Sequence, residues 1–571
     1  MPKSTITSNL QMDELPFDDN TPESLKLDDF YRDWPVVYIL NNDKQMYIGE
    51  TYHVEERMKQ HLKNPDRRKL KKCRVFASKD FTKSATLDIE SSLIELCSSD
   101  NVMELQNVNP GIVKHNYANK SQFGQDSKLF ESLWNKLKNL GLANENIETI
   151  KNSDIFKYSP YKSLTAEQCT CRDYIIEDIL EAVKNNTKQS IVVNGTAGTG
   201  KTILALYLFK LLVTGADYIN DDEESETYRF INDLKQIINI KGRDLKVGYV
   251  VAMTSFRTTL QKVVQEMSKK NKKLKKLQII GPTDVLKDDY DVLIVDEAHR
   301  LKQSKALGAE IGSFYETNRK LGLDINSGNQ LDWIMKKSQI QILFYDENQT
   351  VRPSDIDSSY FNEILKNSIR HTLTSQMRCK GGSDYIRYIK DILNEKCTQF
   401  IDFNDEYDFR LFEDINEFCK EILDKENKYG LSRIVAGYGF EWISKNDPNK
   451  YDITINNKNF QWNKTSTRWP ISISGKRVIE EVGCIHTIQG YDCNYCGVIF
   501  GPEIYYDGNH ICVDKNKYHD AAGKKTITDE NELKDYILNI YSVLLTRGIM
   551  GTYVYVCDDK LRKYLAKYIK R

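Results

Sequence analysis

A glycine-rich segment in the first half of the chain has the composition and spacing of a loop that binds phosphate groups. It runs from Gly195 to Thr202 as GTAGTGKT and fits the pattern GxxxxGK[ST]. The apolar run SIVVN before it predicts a strand, and ILALYLFKLLV after it predicts a helix. Glycines let backbone N–H groups surround a phosphate, and the start of a helix adds positive potential. The residues that we expect to hold the phosphates of a nucleotide are Gly195, Thr196, Ala197, Gly198, Thr199, Gly200, Lys201 and Thr202.

The chemistry of such a loop depends on its last two residues and on a pair of carboxylates further along the chain. In this pattern Lys201 reaches the β- and γ-phosphates and Thr202 ligates Mg²⁺. The apolar strand in DVLIVDEAH delivers Asp296 and Glu297 at its C-terminal end. Asp296 suits the Mg²⁺ shell, whereas Glu297 suits the orientation or deprotonation of the attacking water. The two segments together predict a site that hydrolyses ATP with Mg²⁺.

A second set of reactive side chains lies near the N-terminus. Tyr38 ends the apolar run VVY and Tyr47 begins YIG, and the intervening NNDKQ predicts a β-hairpin that presents both phenols on one face. Arg57 and His61 are four residues apart and therefore share one face of a predicted helix. Glu90 borders the apolar stripe of the next predicted helix, where a carboxylate is costly without a partner.

These residue types suit the hydrolysis of a phosphodiester, which needs an activated water, a cation near the developing charge and a metal. Glu90 is the natural Mg²⁺ ligand, and Arg57 can hold a phosphate oxygen in bidentate fashion. His61 is a candidate proton shuttle or phosphate contact, and either tyrosine could position or deprotonate the water. The stretch from Arg57 to Arg74 is densely basic and is the strongest local candidate for a phosphate-binding surface.

Composition excludes some classes of protein. The chain has 571 residues and a formal net charge of −1, so a surface that binds nucleic acid has to be local. The acidic N-terminal segment has no apolar core run, unlike a secretory signal peptide. No apolar run of about 18 residues exists to span a membrane, and twelve cysteines over this length are typical of reduced thiols. We therefore expect a cytoplasmic protein without a membrane segment.

Beyond the N-terminal residues, apolar β-type runs alternate with helical stretches. The runs are SIVVNG, VGYVVAM, DVLIVDEA, QILFYDE, RIVAGYG, GVIFGPE and GTYVYVC. Alternation of this kind predicts parallel sheets covered by helices. Because the span is too long for one sheet, we expect two α/β units that are divided near residues 378–383.

Residues 164–557 resemble a superfamily 1 helicase. The sequences of the motifs HTIQG, LLTRG and AGYGFEW resemble its Schlafen-like branch most. The resemblance implies that two arginines of a second RecA-like domain, here Arg378 in SQMR and Arg547 in LLTRG, reach the γ-phosphate. Such arginines stabilise the charge of the transition state. The residues that the resemblance adds to the nucleotide site are Gln168, Gln349, Gly490 and Asp492.

The family's motifs give individual roles to some of these positions and suggest contacts with a nucleic-acid strand. Gln168 in LTAEQ is implied to read adenine, and Gln349 in FYDENQ is implied to sense the γ-phosphate. Phe256 in AMTSFR matches a motif that contacts the strand, and it could stack on a base or be buried. The lysine run over 269–276 could touch phosphates or form a solvated helix face.

Residues 34–117 resemble a GIY-YIG nuclease. The resemblance rests on the two tyrosines, YIG, the arginine, the histidine and the glutamate described above, with Asn107 or Asn109 as the closing asparagine. Two positions depart from the family pattern: Val36 replaces its first glycine, and Glu50 follows YIG where some relatives have lysine. The second departure puts a phosphate contact of the family in doubt, but not the fold.

The sequence therefore predicts an α/β protein in which a small α+β GIY-YIG domain precedes two RecA-like parallel α/β domains. The expected segments are an acidic flexible tail over 1–30, a nuclease-like domain over 31–120, a helical connector over 121–163 and RecA-like domains over 164–380 and 381–571.

The function that we predict is that of an ATP-dependent nuclease-helicase, in which Mg²⁺-dependent cleavage of nucleic acid is coupled to an ATP-driven motor. DNA is favoured over RNA as the partner, and defence against foreign DNA or repair would suit this pairing by analogy. Two alternatives stay open: a nucleotide-gated switch that binds nucleic acid without cutting it, and an RNA-directed nuclease.

Overall fold

The structure is a computed structural model, and it describes the chain in the ranges 10–26, 31–107, 117–218, 228–305, 307, 310–346, 354–377, 379–403, 406–464, 469–488, 491–520 and 529–571. The predicted site residues that lie outside these ranges are Gln349, Arg378, Gly490 and the alternative Asn109. The first of two units comprises Met1–Asn186, Thr202–Leu245 and Leu260–Gln278. The second comprises Thr187–Lys201, Lys246–Thr259 and Ile279–Arg571. Among the described helices, none is both long and apolar enough to cross a membrane.

The first unit contains one mixed sheet with the order β1-β4-β2-β3-β5. Its strands are β1 (Gln11–Pro16), β2 (Val36–Asn41), β3 (Gln45–Thr51), β4 (Lys72–Ala77) and β5 (Glu104–Leu105). β2 and β3 pair antiparallel as the predicted hairpin, β4 pairs antiparallel with both β1 and β2, and β5 pairs parallel with β3. Every residue of β2 is buried, so this strand is the centre of the unit's small core.

Residues 11–26 belong to this fold, although the sequence predicts a flexible tail over 1–30. Phe17 and Leu25 are buried in the core beside β2. The acidic residues that suggest a solvated tail are paired instead: Glu14 lies 2.9 Å from the guanidinium of Arg74 on the neighbouring strand. Buried apolar side chains and a paired carboxylate together explain why this segment forms a strand.

The helices that lie wholly or largely in the first unit are α1 (Thr21–Lys26), α2 (Val54–Lys63), α3 (Lys83–Asp100), α4 (Lys120–Phe123), α5 (Lys128–Asn139), α6 (Ile147–Asn152), α7 (Asp154–Lys157), α8 (Ala166–Asn185), α9 (Lys201–Tyr218), α10 (Tyr228–Lys241) and α11 (Thr254–Ser268). α2 buries Val54, Met58, His61 and Leu62, which have the three- and four-residue spacing of one helix face. A short 3-10 turn at Arg67–Lys69 follows it.

The second unit contains a fully parallel sheet with the order β11-β6-β10-β9-β7-β8. Its strands are β6 (Gln189–Gly195), β7 (Val247–Val251), β8 (Ile279–Ile280), β9 (Tyr290–Asp296), β10 (Ser338–Tyr345) and β11 (Ile369–Leu373). β9 is buried along its whole length, as expected for a parallel strand that is covered on both faces. The strands β6 and β9 end at the two motifs that the sequence singles out.

A second sheet of this unit has the order β12-β20-β17-β13-β16-β15-β14 and is parallel except for the β14–β15 pair. Its strands are β12 (Asp408–Phe412), β13 (Ser432–Ala436), β14 (Ile453–Ile455), β15 (Lys458–Trp462), β16 (Glu481–Gly483), β17 (Cys493–Phe500) and β20 (Gly548–Val556), and a separate hairpin is formed by β18 (Ile504–Tyr506) and β19 (Ile511–Val513). The predicted mixed α/β architecture with parallel sheets is confirmed.

Helices of the second unit cover these sheets. They are α12 (Ile311–Lys320), α13 (Gln330–Lys337), α14 (Ser358–Lys366), α15 (Gly382–Leu393), α16 (Ile415–Tyr429), α17 (Trp469–Ser472), α18 (Ile485–Ile488), α19 (Glu530–Leu545) and α20 (Asp559–Leu565). Phe418 and Ile422 of α16 pack with Ile434 of β13 on one side of the second sheet. Side chains of α15 and α19 pack with β17 and β20 in the other large cluster, so this sheet is buried on both sides.

Candidate functional site

The glycine-rich loop follows β6 and leads directly into α9, as the sequence predicts. Gly198 has a φ of 88° and Gly200 a φ of 77°, values that side-chain-bearing residues rarely adopt. A side chain at position 198 is also excluded by lack of space, because a Cβ atom there would collide with the side-chain amide of Gln376. Gln376 Nε2 donates to the carbonyl oxygen of Ala197 at 2.7 Å, and the N–H of Met377 donates to that of Gly198 at 2.9 Å.

Lys201 is buried at the end of this loop, with 6% of its surface exposed. Its ammonium group donates to the carbonyl oxygens of Gly195 and Thr196, the latter at 3.0 Å. The same group lies 3.6 Å from Oδ2 of Asp346, which directly follows β10 and is 2% exposed. The sequence interpretation of FYDENQ missed Asp346 and selected Gln349, which lies outside the described residues.

β9 delivers the carboxylates of the second motif. Asp296 is fully buried and accepts hydrogen bonds from the hydroxyl of Tyr249 at 2.8 Å and from the N–H of Glu297 at 3.0 Å. Glu297 has a φ of 51°, a left-handed conformation that is uncommon for a residue other than glycine. Its Oε2 lies 2.9 Å from Nε2 of His299. Backbone strain of this kind is concentrated at functional sites.

The pKa of Glu297 responds to three other side chains. Burial alone would raise the pKa of Glu297, but His299, Lys201 and Arg547 together hold it well below its usual range. Arg547 follows α19, is 2% exposed and donates through Nε to the carbonyl oxygen of Val543 at 3.3 Å. Lys201 and Arg547 therefore both lower the pKa of Glu297.

Other residues predicted to bind the nucleotide have clear places in the fold. Gln168 is fully buried, and its side chain completes a capping box with Thr165 at the start of α8. Thr202 is the second residue of α9, and Asp492 directly precedes β17. Their roles toward nucleotide and metal stay predictions. Phe256 is 1% exposed, so the buried interpretation of this residue is favoured over base stacking.

In the first unit, the hairpin brings Tyr38 opposite Gly49 in the register of β2 and β3. The phenol of Tyr38 lies against Gly49, so that a Cβ atom at this position would collide with its ring and hydroxyl. A glycine is therefore required by close approach rather than by backbone conformation. The ring of Tyr47 lies 6.2 Å from that of Tyr38, centroid to centroid, so the two phenols are neighbours as predicted.

The helix α2 supplies the polar partners of these tyrosines. Nε2 of His61 lies 2.7 Å from the hydroxyl oxygen of Tyr38, to which Arg57 Nε donates at 3.2 Å. The imidazole also meets the ring of Tyr47 edge-on, with centroids 4.9 Å apart. On its other side Tyr47 is covered by the guanidinium of Arg67, 4.0 Å from the ring centroid. The sequence marks Arg67 only as part of a basic stretch, so its contact with Tyr47 was missed.

Tyr38, Tyr47, Arg57 and His61 form a tyrosine cluster, and burial determines the protonation states of Tyr38 and His61. Burial, with the positive charges of Arg57 and Arg67, holds the pKa of His61 well below its usual range. Burial and the neighbouring Tyr47 raise the pKa of Tyr38, although Arg57 opposes this shift. At neutral pH both side chains are therefore uncharged, and a neutral imidazole has one ring nitrogen free to accept a proton.

Glu90 lies half-buried on α3, and its charge contributes to the raised pKa of Tyr38. The structure thus places the predicted glutamate in the electrostatic neighbourhood of the tyrosine cluster. Asn107 holds β3 from the side, because its amide accepts from the N–H of Ile48 at 2.9 Å and donates to the carbonyl oxygen of Ile48 at 2.8 Å. Asn107 therefore supports the YIG segment.

The residue after YIG is turned away from this cluster. Glu50 accepts from the ammonium group of Lys83 and from the hydroxyl of Thr86, both on α3. The departure from the family pattern at position 50 therefore forms a link between β3 and α3.

The described residues contain no group of three or more histidine, cysteine, aspartate or glutamate side chains that could hold a metal ion. Mg²⁺ is commonly held by one or two carboxylates together with phosphate oxygens of the substrate and water. Glu90 and Asp296 are the carboxylates that such a site would use, together with phosphate oxygens and water.

The chain is similar to several known proteins. The uncharacterized protein YPL245W of Saccharomyces cerevisiae is 27% identical over 448 residues, which are 72% of this chain and 92% of that protein. Two similar solved structures are the Arterivirus nonstructural protein 10 helicase in complex with DNA and two Pif1 helicases on forked DNA. Each is 11% identical, with TM-scores of 0.28 and 0.25 and coverage of 68% and 66% of this chain.

The match covers 90% of the Pif1 chain but 65% of the Arterivirus protein, which is less than two thirds of its length. Residues 188–558 match the family model described as the DNA/RNA helicase domain of Schlafen group 3. This match spans most of the chain and contains the phosphate-binding loop, the carboxylate pair and Arg547. The chain belongs to the Schlafen group 3 DNA/RNA helicase domain family.

Proposed function

We propose that the chain is an ATP-driven nucleic-acid motor whose N-terminal domain cuts phosphodiester bonds. The observation that carries the proposal is the geometry of the glycine-rich loop between β6 and α9, where the buried ammonium group of Lys201 lies 3.6 Å from Asp346. Glu297 supports it, because His299, Lys201 and Arg547 lower the pKa of this carboxyl group. A carboxylate that stays ionised can orient a water molecule by accepting its hydrogen bond, and the cations that lower its pKa suit the charge of a γ-phosphate.

In the proposed ATPase site, the phosphates of ATP take the place of the loop carbonyls and Asp346 as partners of the Lys201 ammonium group. Glu297 orients or deprotonates the attacking water, while Arg547 faces the charge that develops on the transferred group. When bound, Mg²⁺ would stabilise the phosphate oxygens, and Thr202 and Asp296 are the residues that would hold it.

The family to which the chain belongs suggests that the motor acts on DNA or RNA. We favour DNA as the substrate and test RNA beside it. The motor is assigned to residues 164–571, in which Gln168, Gln349, Arg378, Gly490 and Asp492 keep the roles predicted for them.

In the N-terminal domain, over residues 31–120, the hydrogen-bonded pair of Tyr38 and His61 supports phosphodiester hydrolysis. We infer that a water attacks phosphorus and that its proton passes through a tyrosine hydroxyl to Nε2 of His61 as the bond to the leaving oxygen breaks. Arg57 would contact the phosphate, and Glu90 would hold Mg²⁺, which adds charge stabilisation when bound.

Burial of the same pair favours one other candidate function. Tyr38 is fully buried and His61 is 6% exposed, which also suits a module that binds nucleic acid without cutting it. A nucleotide-gated switch is therefore the second candidate.

The deciding experiment combines two variants with two matched controls. Glu90→Gln should abolish cutting and retain ATP hydrolysis that is stimulated by nucleic acid, whereas Lys201→Ala should abolish ATP hydrolysis. The controls, Glu56→Gln and Lys188→Ala, change exposed residues of the same chemical types. Labelled single-stranded, duplex and branched DNA and RNA are incubated with Mg²⁺, with and without ATP. If the wild type binds these substrates and hydrolyses ATP but yields no cleavage product, the switch replaces the nuclease.

A further inference from the structure

A cavity of about 350 Å³ lies inside the first unit, next to the proposed phosphodiester site. Its wall includes Arg67 and Gln106 from the nuclease-like domain, Lys210 from α9, and Asn271 and Lys273 from the turn that follows α11. This volume is at the lower end of the range in which proteins hold small ligands. Neither the ATPase site nor the tyrosine cluster uses it.

The cations of this wall are held in place by defined partners. Arg67 is 3% exposed, and its Nη1 donates to Oε1 of Gln106 at 2.7 Å. Lys210 is 2% exposed, and its ammonium group lies 3.6 Å from the centroid of the Tyr161 ring. The hydroxyl of Tyr161 accepts from Nδ2 of Asn271 at 2.7 Å. Contacts of this kind fix two buried cations at the wall of the cavity.

The acidic residues in the wall are engaged with other groups. Asp66 lies 2.6 Å from the ammonium group of Lys69, and Glu104 accepts from Nε2 of Gln45 at 2.9 Å. The wall therefore has three basic and two acidic side chains, and one of the acidic side chains is already paired with a further lysine.

We propose that this cavity binds the phosphate of a nucleotide unit, with Arg67, Lys210 and Lys273 as the groups that recognise it. An ammonium group that is removed from water gains from an anion beside it, and burial holds the pKa of Lys210 well below its usual range. The guanidinium of Arg67 is planar and suits bidentate contact with phosphate. Because Arg67 also covers Tyr47, an occupied cavity lies beside the proposed cutting site.

The nucleotide unit could come from the bound strand or from a free mononucleotide. Only binding of the strand rests on the proposed function. Binding of phosphate in the cavity does not require that the protein cleaves nucleic acid. All measurements therefore use full-length protein that carries Glu90→Gln, so that a failure of cutting cannot imitate a failure of binding.

The first measurement is calorimetric titration with thymidine and uridine monophosphate. We expect Lys210→Met and Lys273→Met each to weaken the affinity about tenfold, since each removes a charged contact to phosphate. Lys275→Met is the matched control, because Lys275 is an exposed lysine of the same turn that is absent from the cavity wall. Lys273 is exposed, so its substitution tests the proposal even if Lys210→Met fails to fold.

The second measurement distinguishes the two sources. A photoreactive single-stranded oligonucleotide is cross-linked to the protein, and the modified peptides are identified by mass spectrometry. The strand is the source if the oligonucleotide cross-links to the peptides that contain Tyr161 or Lys273, and if added mononucleotide suppresses these cross-links. Calorimetric binding without such cross-links identifies the free nucleotide. The proposal is overturned if neither probe binds, or if both lysine variants bind as tightly as the control.

Discussion

At the scale of single residues, Glu503 is a carboxyl group that the sequence does not single out. It is fully buried and lies so close to Gly437, Gly439 and Gly501 that a Cβ atom at any of them would collide with its carboxyl oxygens. The hydroxyl of Tyr541 donates to Oε1 at 2.6 Å. Burial raises the pKa of Glu503 from 4.5 to about 7, so the folded protein prefers the protonated form.

We predict that Glu503→Gln removes a pH-dependent loss of stability. A carboxyl group with a raised pKa stabilises the fold fully below pH 4.5 and loses that contribution as the pH rises to about 7. The loss should reach about 3 kcal/mol, the free energy of the pKa difference. Thermal unfolding between pH 4 and about 8 should show a smaller fall of the midpoint in Glu503→Gln than in the wild type. Parallel curves would contradict the raised pKa, and the exposed Glu532→Gln is the control.

The second residue-scale prediction concerns Arg547. If it acts on the transition state, Arg547→Ala should lower the kcat of ATP hydrolysis by about 10³-fold with little change in nucleotide affinity. Because Arg547 is buried, Arg547→Lys is compared with it: the charge remains, but the planar donor group is lost. Steady-state kinetics and ATP-analogue binding are measured for both, with the exposed Arg319→Ala as control. Weak binding with an unchanged kcat would assign a structural role.

At the scale of secondary-structure elements, the β2–β3 hairpin depends on one close approach. We predict that Gly49→Ala destabilises the first unit by about 1–3 kcal/mol, because the added methyl group displaces the phenol of Tyr38. Gly312→Ala is the matched control: Gly312 lies in α12 with open space around its Cβ position. Hydrogen exchange of the β2 and β3 amides reports the effect locally. Equal protection in Gly49→Ala and wild type would show that the phenol can move without cost.

The hairpin and the phosphate-binding loop were predictable because each is encoded by adjacent residues. Tyr38 and YIG are separated by one short turn, and GTAGTGKT stands between an apolar strand and an apolar helix. Contacts between distant segments were not predictable in this way. Asp346 reaches Lys201 only after β10 and β6 pair in the sheet, and Arg67 reaches Tyr47 only after the turn that follows α2 folds back. A single sequence contains no local signal for such pairs.

β1 also could not be predicted from local sequence, because here a segment with the composition of a loop forms a strand. Its acidic composition is typical of a solvated tail, and the strand becomes stable only when β4 supplies both backbone partners and Arg74. Local composition therefore misled the prediction where a tertiary partner decided the outcome.

At the scale of the whole molecule, the proposed motor and the proposed cutting site should respond differently to the length of the substrate. We predict that Lys201→Ala slows the cutting of long duplexes at least tenfold and leaves the cutting of short single strands nearly unchanged, because only the former need ATP-driven delivery. Initial rates on both substrates are compared with those of Lys188→Ala. Cutting of the long duplex at the control rate would show that the motor does not feed the cutting site.

The segment that leaves β11 rests on the phosphate-binding loop through the hydrogen bonds of Gln376 and Met377. This segment is also the chain's route from the first parallel sheet to the second. A tension applied to the second sheet would therefore be transmitted to the phosphate-binding loop, and each hydrogen bond lost would alter the proposed affinity for ATP by a factor that corresponds to about 1 kcal/mol. We expect the ATP affinity to vary with the load on the strand, which a single-molecule assay at fixed force would measure as a force-dependent KM.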